Sequence, residues 1–228
     1  MPLKLLSPGG GSVLLQANTT SLDYTLTVPA ETANLITTAS SSGINASAMS
    51  LGTIPTARLP TIPKANMPTG SILQVVNVLK TDVFTTTTNG FTDVTGISAS
   101  ITPSSSSNKI MIIISLGRVG LGDGGGGPHS VAFRIDRSGT SLFIGDTSSS
   151  RIRSTFQTST GYNADHSHAY TYTGVDSPAS TSALTYKLQM FSQSGNAAYI
   201  NRGKVDADNG EAYPGRTGSS ITLMEIAG

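Results

Sequence analysis

The sequence has no cysteine and no tryptophan, and charged residues make up only 12% of its 228 positions. Without cysteine the chain can form no disulfide and no thiolate metal site, and it has no thiolate nucleophile. The charged fraction is about half of the usual one, and a net charge of +1 gives no electrostatic signature of nucleic-acid or membrane binding. We therefore expect no nucleic-acid partner and no membrane insertion.

Long apolar runs are missing as well. The longest one, from Ile110 to Ile114, is far too short to cross a bilayer. The apolar residues near the N-terminus are interrupted at 7–11 by Ser-Pro-Gly-Gly-Gly, which does not fit the apolar region of a secretory signal. These features predict a protein that is made in a cytoplasm without a targeting signal.

The abundant residue types point to β structure. Serine and threonine supply 62 residues and glycine another 25; threonine favours strands, and glycine and serine favour turns. Beyond residue 70, short strand patterns alternate with turn residues. They predict strands at 72–79, 91–99, 109–119, 131–136, 141–144, 151–156, 168–173, 184–191, 197–200 and 221–226. We therefore predict an all-β chain with a jelly-roll-like β-sandwich head at 71–228.

Two of these strands have contrasting patterns. From Leu184 to Met190 apolar and polar residues alternate, which is typical of a half-buried strand. The run from Ile110 to Ile114 has no polar alternation, which indicates that both of its faces are covered. Such a strand lies either at the centre of the sandwich or between the head and a neighbouring subunit.

Residues 1–50 predict an extended N-terminal segment that carries a small β-hairpin. Its strand signals are Val13–Leu15 and the alternating stretch from Leu22 to Val28, which ends at Pro29. A lone hairpin is marginally stable in water, so we expect its apolar face to dock on another copy or a larger body. Residues 30–50 are small and polar, as in a linker.

Residues 51–70 contain an eight-residue unit repeated twice, TIPTARLP followed by TIPKANMP. Prolines at 55, 60, 63 and 68 exclude a helix and a central strand, so we predict a short extended shaft. Three copies wound together would bury the apolar positions of the repeat, at about 1.5–3 kcal/mol per side chain. These positions are Ile54, Leu59, Ile62 and Met67. The alternative is a proline-stiffened tether without contacts between chains.

Several stretches in this order resemble bacteriophage tail-fibre proteins, especially those of marine phages. They are GGGSVLLQA, YTLTVPA, GTIPTARLP, TGSILQVVN, FTDVTGISASITPSSSSNKIMI, DSPASTSALTYKLQ and SSITLMEIAG. The resemblance implies a virion structural protein that forms an intertwined homotrimer. It also implies that residues 1–50 attach to other virion proteins and that the head meets a glycan or protein of the bacterial surface. The chain is short for a long tail fibre, so a fibre or decoration protein on the capsid is the alternative.

Tyrosines and arginines of the head are the candidate receptor-binding residues. Tyr162, Tyr199 and Tyr213 stand near turn residues, where a ring would stack on a sugar or on a surface protein. The alternative is that these rings cover strand edges or subunit seams. Arginines would add contacts to anionic surface glycans; the candidates are Arg151, Arg153 and Arg202.

His166 and His168 are the candidate metal ligands. Two residues apart on a strand, they would face the same side, and in a trimer they would bring six imidazoles toward the axis. Imidazole suits iron, zinc or nickel. The alternative is a pair of solvent-exposed histidines in a loop, and we predict no other cofactor.

The sequence predicts binding rather than catalysis. No pair of carboxylates is placed so as to suggest an acid and a base for glycoside cleavage, and no G-x-S-x-G nucleophile motif occurs. We therefore expect a non-enzyme that adsorbs to a bacterial surface through three identical sites. A carbohydrate-binding module and a polysaccharide depolymerase are the alternatives of other classes.

Overall fold

The computed structural model describes residues 3–6, 12–15, 62–122, 129–160, 167–212 and 214–228, and it divides the chain into two units, 1–59 and 60–228. The first unit contains strands β1 (Leu3–Leu6) and β2 (Ser12–Leu15), which pair antiparallel. The predicted hairpin paired 13–15 with 22–28 instead. The pairing of β2 with Leu3–Leu6 was not predicted; residues 22–28 lie outside the described residues, so their pairing with 13–15 stays a prediction.

The second unit contains the other eleven strands. They are β3 (Ile72–Lys80), β4 (Phe84–Thr86), β5 (Thr92–Ile101), β6 (Lys109–Leu121), β7 (His129–Arg137), β8 (Thr140–Leu142), β9 (Phe156–Thr160), β10 (His168–Asp176), β11 (Leu184–Ser192), β12 (Ala198–Ile200) and β13 (Ser219–Ile226). Every pairing among them is antiparallel. The predicted all-β fold class is confirmed, and no helix in the described ranges is long and apolar enough to span a membrane.

The strands form two sheets, which we call sheet A and sheet B. Sheet A runs in the order β3, β13, β6, β12, β4, with β10 on the far side of β6. Sheet B runs in the order β5, β11, β7, β8, with β9 also paired to β7. Strand β6 pairs with β10, β12 and β13, so it is central in sheet A. Its inner face is buried, but Met111 and Ile113 on its outer face are half-buried, so cover of both faces stays a prediction.

The core lies between the inner faces of the two sheets. Alternate residues of β6 are fully buried, among them Ile110, Ile112 and Ile114. Facing them from sheet B are side chains such as Phe133 and Leu188. The period of two along each strand therefore separates a closed inner face from an outer face on each sheet.

A buried carboxylate ties the two sheets together. Asp176, at the end of β10 in sheet A, accepts a hydrogen bond from Arg137 Nη1 of sheet B at 2.6 Å and another from Tyr186 Oη at 2.7 Å. Burial raises the pKa of Tyr186, and the bond to Asp176 raises it further. The phenol therefore stays protonated and donates to the carboxylate.

Two strand predictions differ from the structure. Strand β4 was not predicted, because three residues are too short for a period to show and their partner is the distant β12. The strand predicted at 151–156 is wrong, since 151–155 form a loop and β9 begins at Phe156. Phe133 of β7 pairs with Phe156, but Ile135 already pairs with Leu142 of β8. The edge of β7 is occupied there, so residues 151–155 have no ladder to join.

The described end of the proline repeat, residues 62–70, packs with the sandwich. The repeat was predicted to exclude a helix, but Lys64–Asn66 form one 3-10 turn. Pro63 is compatible with this turn because only its carbonyl is needed, and that carbonyl accepts a hydrogen bond from the backbone N–H of Asn66 at 2.9 Å. Gly70 N–H then donates to the Ala227 carbonyl at 2.8 Å, and this bond joins residues 62–70 to the end of β13.

Glu225 lies beneath this junction with a fully buried side chain. It accepts hydrogen bonds from the backbone and side chain of Ser104, from Asn108 and from Gln74 at 2.5–2.7 Å. Burial pushes the pKa of Glu225 upward, but these donors outweigh burial and hold the pKa below its ordinary value of 4.5. The charged carboxylate therefore links β13 to β3 and to the loop at 102–108 through hydrogen bonds.

Candidate functional site

The outer face of sheet B, which we call the polar face, carries a hydrogen-bonded network of charged and amide side chains. Gln189 of β11 accepts two bonds from Arg134 of β7 at 2.7 and 2.9 Å and donates one to Asp93 of β5 at 2.7 Å. Lys187 adds a 2.7 Å bond to the same carboxylate, whose pKa is lowered because these donors outweigh partial burial. The network spans three strands and suits a water-exposed surface.

An aromatic ledge adjoins this network. The rings of Phe91 and Phe191 are 5.6 Å apart and tilted. The guanidinium of Arg134 lies 4.1 Å from the centre of the Phe91 ring, a distance at which a cation is attracted by the ring face. The polar face therefore combines charge with apolar rings that are partly exposed.

A cleft of about 350 Å³ opens beside the ledge. Strand register builds its floor, because Ala132 of β7 is opposite both Phe191 of β11 and Gln157 of β9. Its lining residues are Ser130, Ala132, Arg151, Ile152, Gln157, Phe191 and Gln193. These residues offer one guanidinium, two amides, a hydroxyl and an aromatic ring, but no carboxylate and no imidazole.

The loop between β8 and β9 brings Arg151 to the cleft. Arg151 is exposed, and its backbone N–H donates a hydrogen bond to the Ser148 carbonyl at 3.1 Å. The root of the loop is fixed by Thr155, whose hydroxyl donates to the Leu142 carbonyl at 2.9 Å. Arg153 is exposed on the same loop, but its Nε is bonded to the Gly145 carbonyl at 2.6 Å. Of these two predicted residues, Arg151 is the one that lines the cleft.

Two other predicted receptor-binding residues, Tyr199 of β12 and Arg202 in the loop that follows it, contact each other. The Arg202 guanidinium is 3.8 Å from the centre of the Tyr199 ring and 3.4 Å from Asp206. Arg216 binds the same carboxylate through two bonds at 2.7 and 2.9 Å. These contacts fasten the loop at 201–218 over β12. No local sequence signal marks these contacts, because a spacing of four residues pairs side chains on a helix and residues 201–206 are not helical.

Several predicted site residues lie outside the described residues. They are Tyr162, Tyr213, His166, Ile54 and Leu59. His168 is exposed at the start of β10, and no three His, Cys, Asp or Glu side chains are grouped to hold a metal in the described part of the chain. The pairing of His168 with His166 stays a prediction.

The two described residues of the predicted shaft have different surroundings. Ile62 is 63% exposed. Met67 is half-buried and lines a pocket of about 210 Å³ with Leu73 and Ala227 of its own chain. Contacts of either residue with other chains stay a prediction.

The sequence did not indicate the remaining cleft residues. Ile152, Gln157, Phe191 and Gln193 come from separate parts of the chain and meet only through the pairing of β7 with β9 and β11. No local motif marks them, although the exposed outward positions of β9 and β11 follow from their period of two.

No family model matches the sequence, and no curated protein matches it. Among solved structures, the VP2 subviral particle of infectious bursal disease virus is similar at 14% identity and a TM-score of 0.32. The match covers 75% of this chain and 42% of that chain, so this chain spans less than half of that protein's length. A superposition this loose carries no functional conclusion for the present chain.

Proposed function

We propose that this chain is a virion structural protein: the subunit of a trimeric phage fibre whose β head adsorbs to the bacterial surface. The cleft on the polar face is the observation that carries the adsorption role. Its lining places the Arg151 guanidinium, two amides and the Phe191 ring around one opening. A ring stacks on the apolar face of a sugar, amides bond to hydroxyls, and a guanidinium pairs with a carboxylate or phosphate. An anionic surface glycan matches this set of groups.

The proposed action is binding without bond cleavage. Glycoside hydrolysis needs two carboxyl groups about 5–10 Å apart, and the residues that line the cleft supply none. Three heads on one fibre would raise the avidity of a weak site by about 10²–10⁴-fold when the sites can engage together. Residues 1–50, which lie within the separate first unit, are the proposed attachment to other virion proteins, and the proline-rich segment at 51–70 joins them to the head.

Binding of labelled protein to an array of bacterial surface polysaccharides tests the adsorption role. We expect binding to an anionic polysaccharide and a loss of at least about tenfold per site in the variant Arg151→Ala with Gln157→Ala, because hydrogen bonds to a charged group are removed. Arg216→Ala is the matched control, since it removes the same charge from a surface pair far from the cleft. Equal binding by both variants would contradict the assignment of the cleft.

Two further measurements separate the alternatives. Release of reducing sugar from the bound polysaccharide would indicate a depolymerase, and a single-chain native mass would favour a carbohydrate-binding module. Gold-labelled antibody on intact particles would locate the protein. Label at the tail is expected for a tail fibre, and label on the capsid would indicate the capsid fibre or decoration protein.

A further inference from the structure

The outer face of sheet A, which we call the open face, carries six apolar and six uncharged polar side chains over four adjacent strands. Strand register aligns its side chains in rows across β3, β13, β6 and β10. The first row is Val75, Met224, Met111 and Val175. The second row is Asn77, Thr222, Ile113 and Thr173, and the third is Leu79, Ser220, Ser115 and Thr171. These three rows of four contain no charged residue.

The exposure of this face is large for apolar side chains. Val75 is 54% exposed, Leu79 65% and Val175 43%. At the end of the face Ile72, opposite Ile226, is 56% exposed, and this end row also contains the exposed Lys109, which marks the limit of the uncharged rows. Large apolar side chains that are scattered singly need no explanation, but a contiguous group marks an interaction surface. The described residues supply no cover for these rows.

At the other end of sheet A, the outer surface is covered by a loop of the same chain. Beyond Ser115 the strand β6 reaches Gly117 and Gly120, against which the loop at 201–218 packs. A Cβ at Gly120 would lie 2.5 Å from the Arg202 carbonyl oxygen, and one at Gly117 2.3 Å from that of Gly218. Close backbone cover ends there; the neighbouring third row consists mainly of hydroxyl residues, and the fully apolar first row lies farthest from the covered end.

The outer edge of the face is unprotected as well. Within the described part of the chain, β3 pairs only with β13. From Ile72 to Leu79 it carries neither a charge nor a proline, the two residue classes that usually keep an edge strand from pairing with other chains. An uncharged edge of eight residues, which ends only at Lys80, needs a partner or a cover.

The size of the face matches a subunit interface. Strands lie about 4.8 Å apart and rise about 3.4 Å per residue, so the three rows, about six residues long on four strands, cover roughly 400 Å² in projection. Side-chain relief increases this area toward the roughly 800 Å² per partner of a standard interface. Because the rows are uncharged, two identical faces meet without repulsion, whereas a glycan or an ionic surface would find no charge to pair with.

We propose that the open face packs against the open faces of the other copies, and so forms the head interface of the trimer. This inference rests on the proposed trimer and adds the surface that holds the heads together. In such an interface Met111 and Met224, which are half-buried in the single chain, become fully enclosed. Methionine adapts to the surface it meets, which suits a seam between identical chains. The polar face then points outward with its cleft accessible.

The charge variant Val75→Lys with Val175→Lys tests the interface. Both positions are exposed, so lysine is accommodated in the single chain, but packed faces would enclose these added charges. Native mass spectrometry is expected to give three times the 23.4 kDa chain mass for the wild type and one chain mass for the variant. The control Ser98→Lys with Thr185→Lys adds the same charges at exposed positions of sheet B and should remain trimeric. A trimeric variant with a native circular dichroism spectrum would overturn the interface while leaving the trimer intact.

Cross-linking gives a second measurement that needs no loss of assembly. The chain has no cysteine, so Val175→Cys introduces a single reactive site. A flexible bismaleimide should link chains of this variant, and it should leave the control Thr185→Cys unlinked. Equal linking of both variants would overturn the proposal. A native mass of one chain for the wild type would contradict both the trimer and this interface. The polysaccharide array tests the cleft independently of that result.

Discussion

The two outer faces of the sandwich differ in chemistry although the strands beneath them are alike. On the polar face, Asp93, Arg134 and Lys187 join a network of side-chain hydrogen bonds. On the open face, the aligned rows contain valine, methionine, isoleucine and leucine among hydroxyl and amide residues, without a charge. A sheet with one solvated face places charge there, whereas a sheet covered on both faces does not.

This difference shows how a protein with few charges can distribute them. With 12% charged residues in the whole chain, several of the described charges lie on sheet B, in the loop at 201–218, or in buried ties such as Asp176 and Glu225. The open face has the composition expected of an assembly surface, and the polar face has that of a surface in contact with water and ligand.

Loss of the tie between the sheets is expected to have the largest effect. Asp176→Ala leaves Arg137 and the Tyr186 hydroxyl without their partner, and breaking a buried pair costs about 3–5 kcal/mol. Urea unfolding should show one transition in which both faces are lost together. The control Asp206→Ala breaks partly exposed pairs with Arg202 and Arg216 and should cost less, about 1 kcal/mol. Similar losses in the two variants would contradict the role of Asp176.

Glu225→Gln is expected to destabilise sheet A by about 1–3 kcal/mol at neutral pH, because hydrogen bonds to a charged acceptor are weakened. The folded-state pKa of Glu225 lies below 4.5, so its contribution is full above the unfolded pKa and is lost as pH falls through the folded value. The stability difference between wild type and variant, measured by urea unfolding, should therefore be constant near pH 7 and shrink below about pH 4. A difference that grows in acid would contradict this sign.

Gly120→Ala should enlarge the open face. The new Cβ would lie 2.5 Å from the Arg202 carbonyl oxygen, so the loop at 201–218 must move, at about 1–3 kcal/mol. Trypsin should then cut faster after Arg202 and Lys204 than in the wild type. Gly145→Ala is the control, because its Cβ would meet nothing within 4 Å. Unchanged cleavage would show that the loop does not depend on Gly120.

Arg134→Met should have the smallest effect, about 0.5–1 kcal/mol in urea unfolding, because the guanidinium acts at a partly exposed position over Phe91. The stability loss should diminish at high salt, since exposed charges are screened. Arg134→Lys keeps the charge and should recover part of the loss. A loss above about 2 kcal/mol would mean that the polar face is structural rather than solvated.

The sequence predicted the sandwich because most of its strands have a recognisable local pattern of apolar and polar residues. The alternation from Leu184 to Met190 and the apolar run from Ile110 to Ile114 each correspond to a strand of the structure. It failed where strand pairing decides the outcome. The loop at 151–155 has strand-like residues but no free edge of β7, and β4 forms only because β12 is beside it.

The candidate site was predictable only in part for the same reason. Arg151 was identified because arginine suits anionic glycans, but its neighbours Gln157 and Phe191 reach the cleft through the register of three strands. Tyr199 and Arg202 have residue types suited to a receptor, yet they contact each other. Residue type gives the chemistry that is available, and only packing shows whether a group is already engaged.

Hydroxyl-radical footprinting of the assembled protein, read by mass spectrometry, tests the division between the faces most directly. We predict that Met111, Met224 and Val75 are modified as slowly as the buried Met190, while Phe191 and Ile152 on the polar face react readily. Rapid modification of both methionines in the native assembly, or protection of the cleft residues instead, would contradict it.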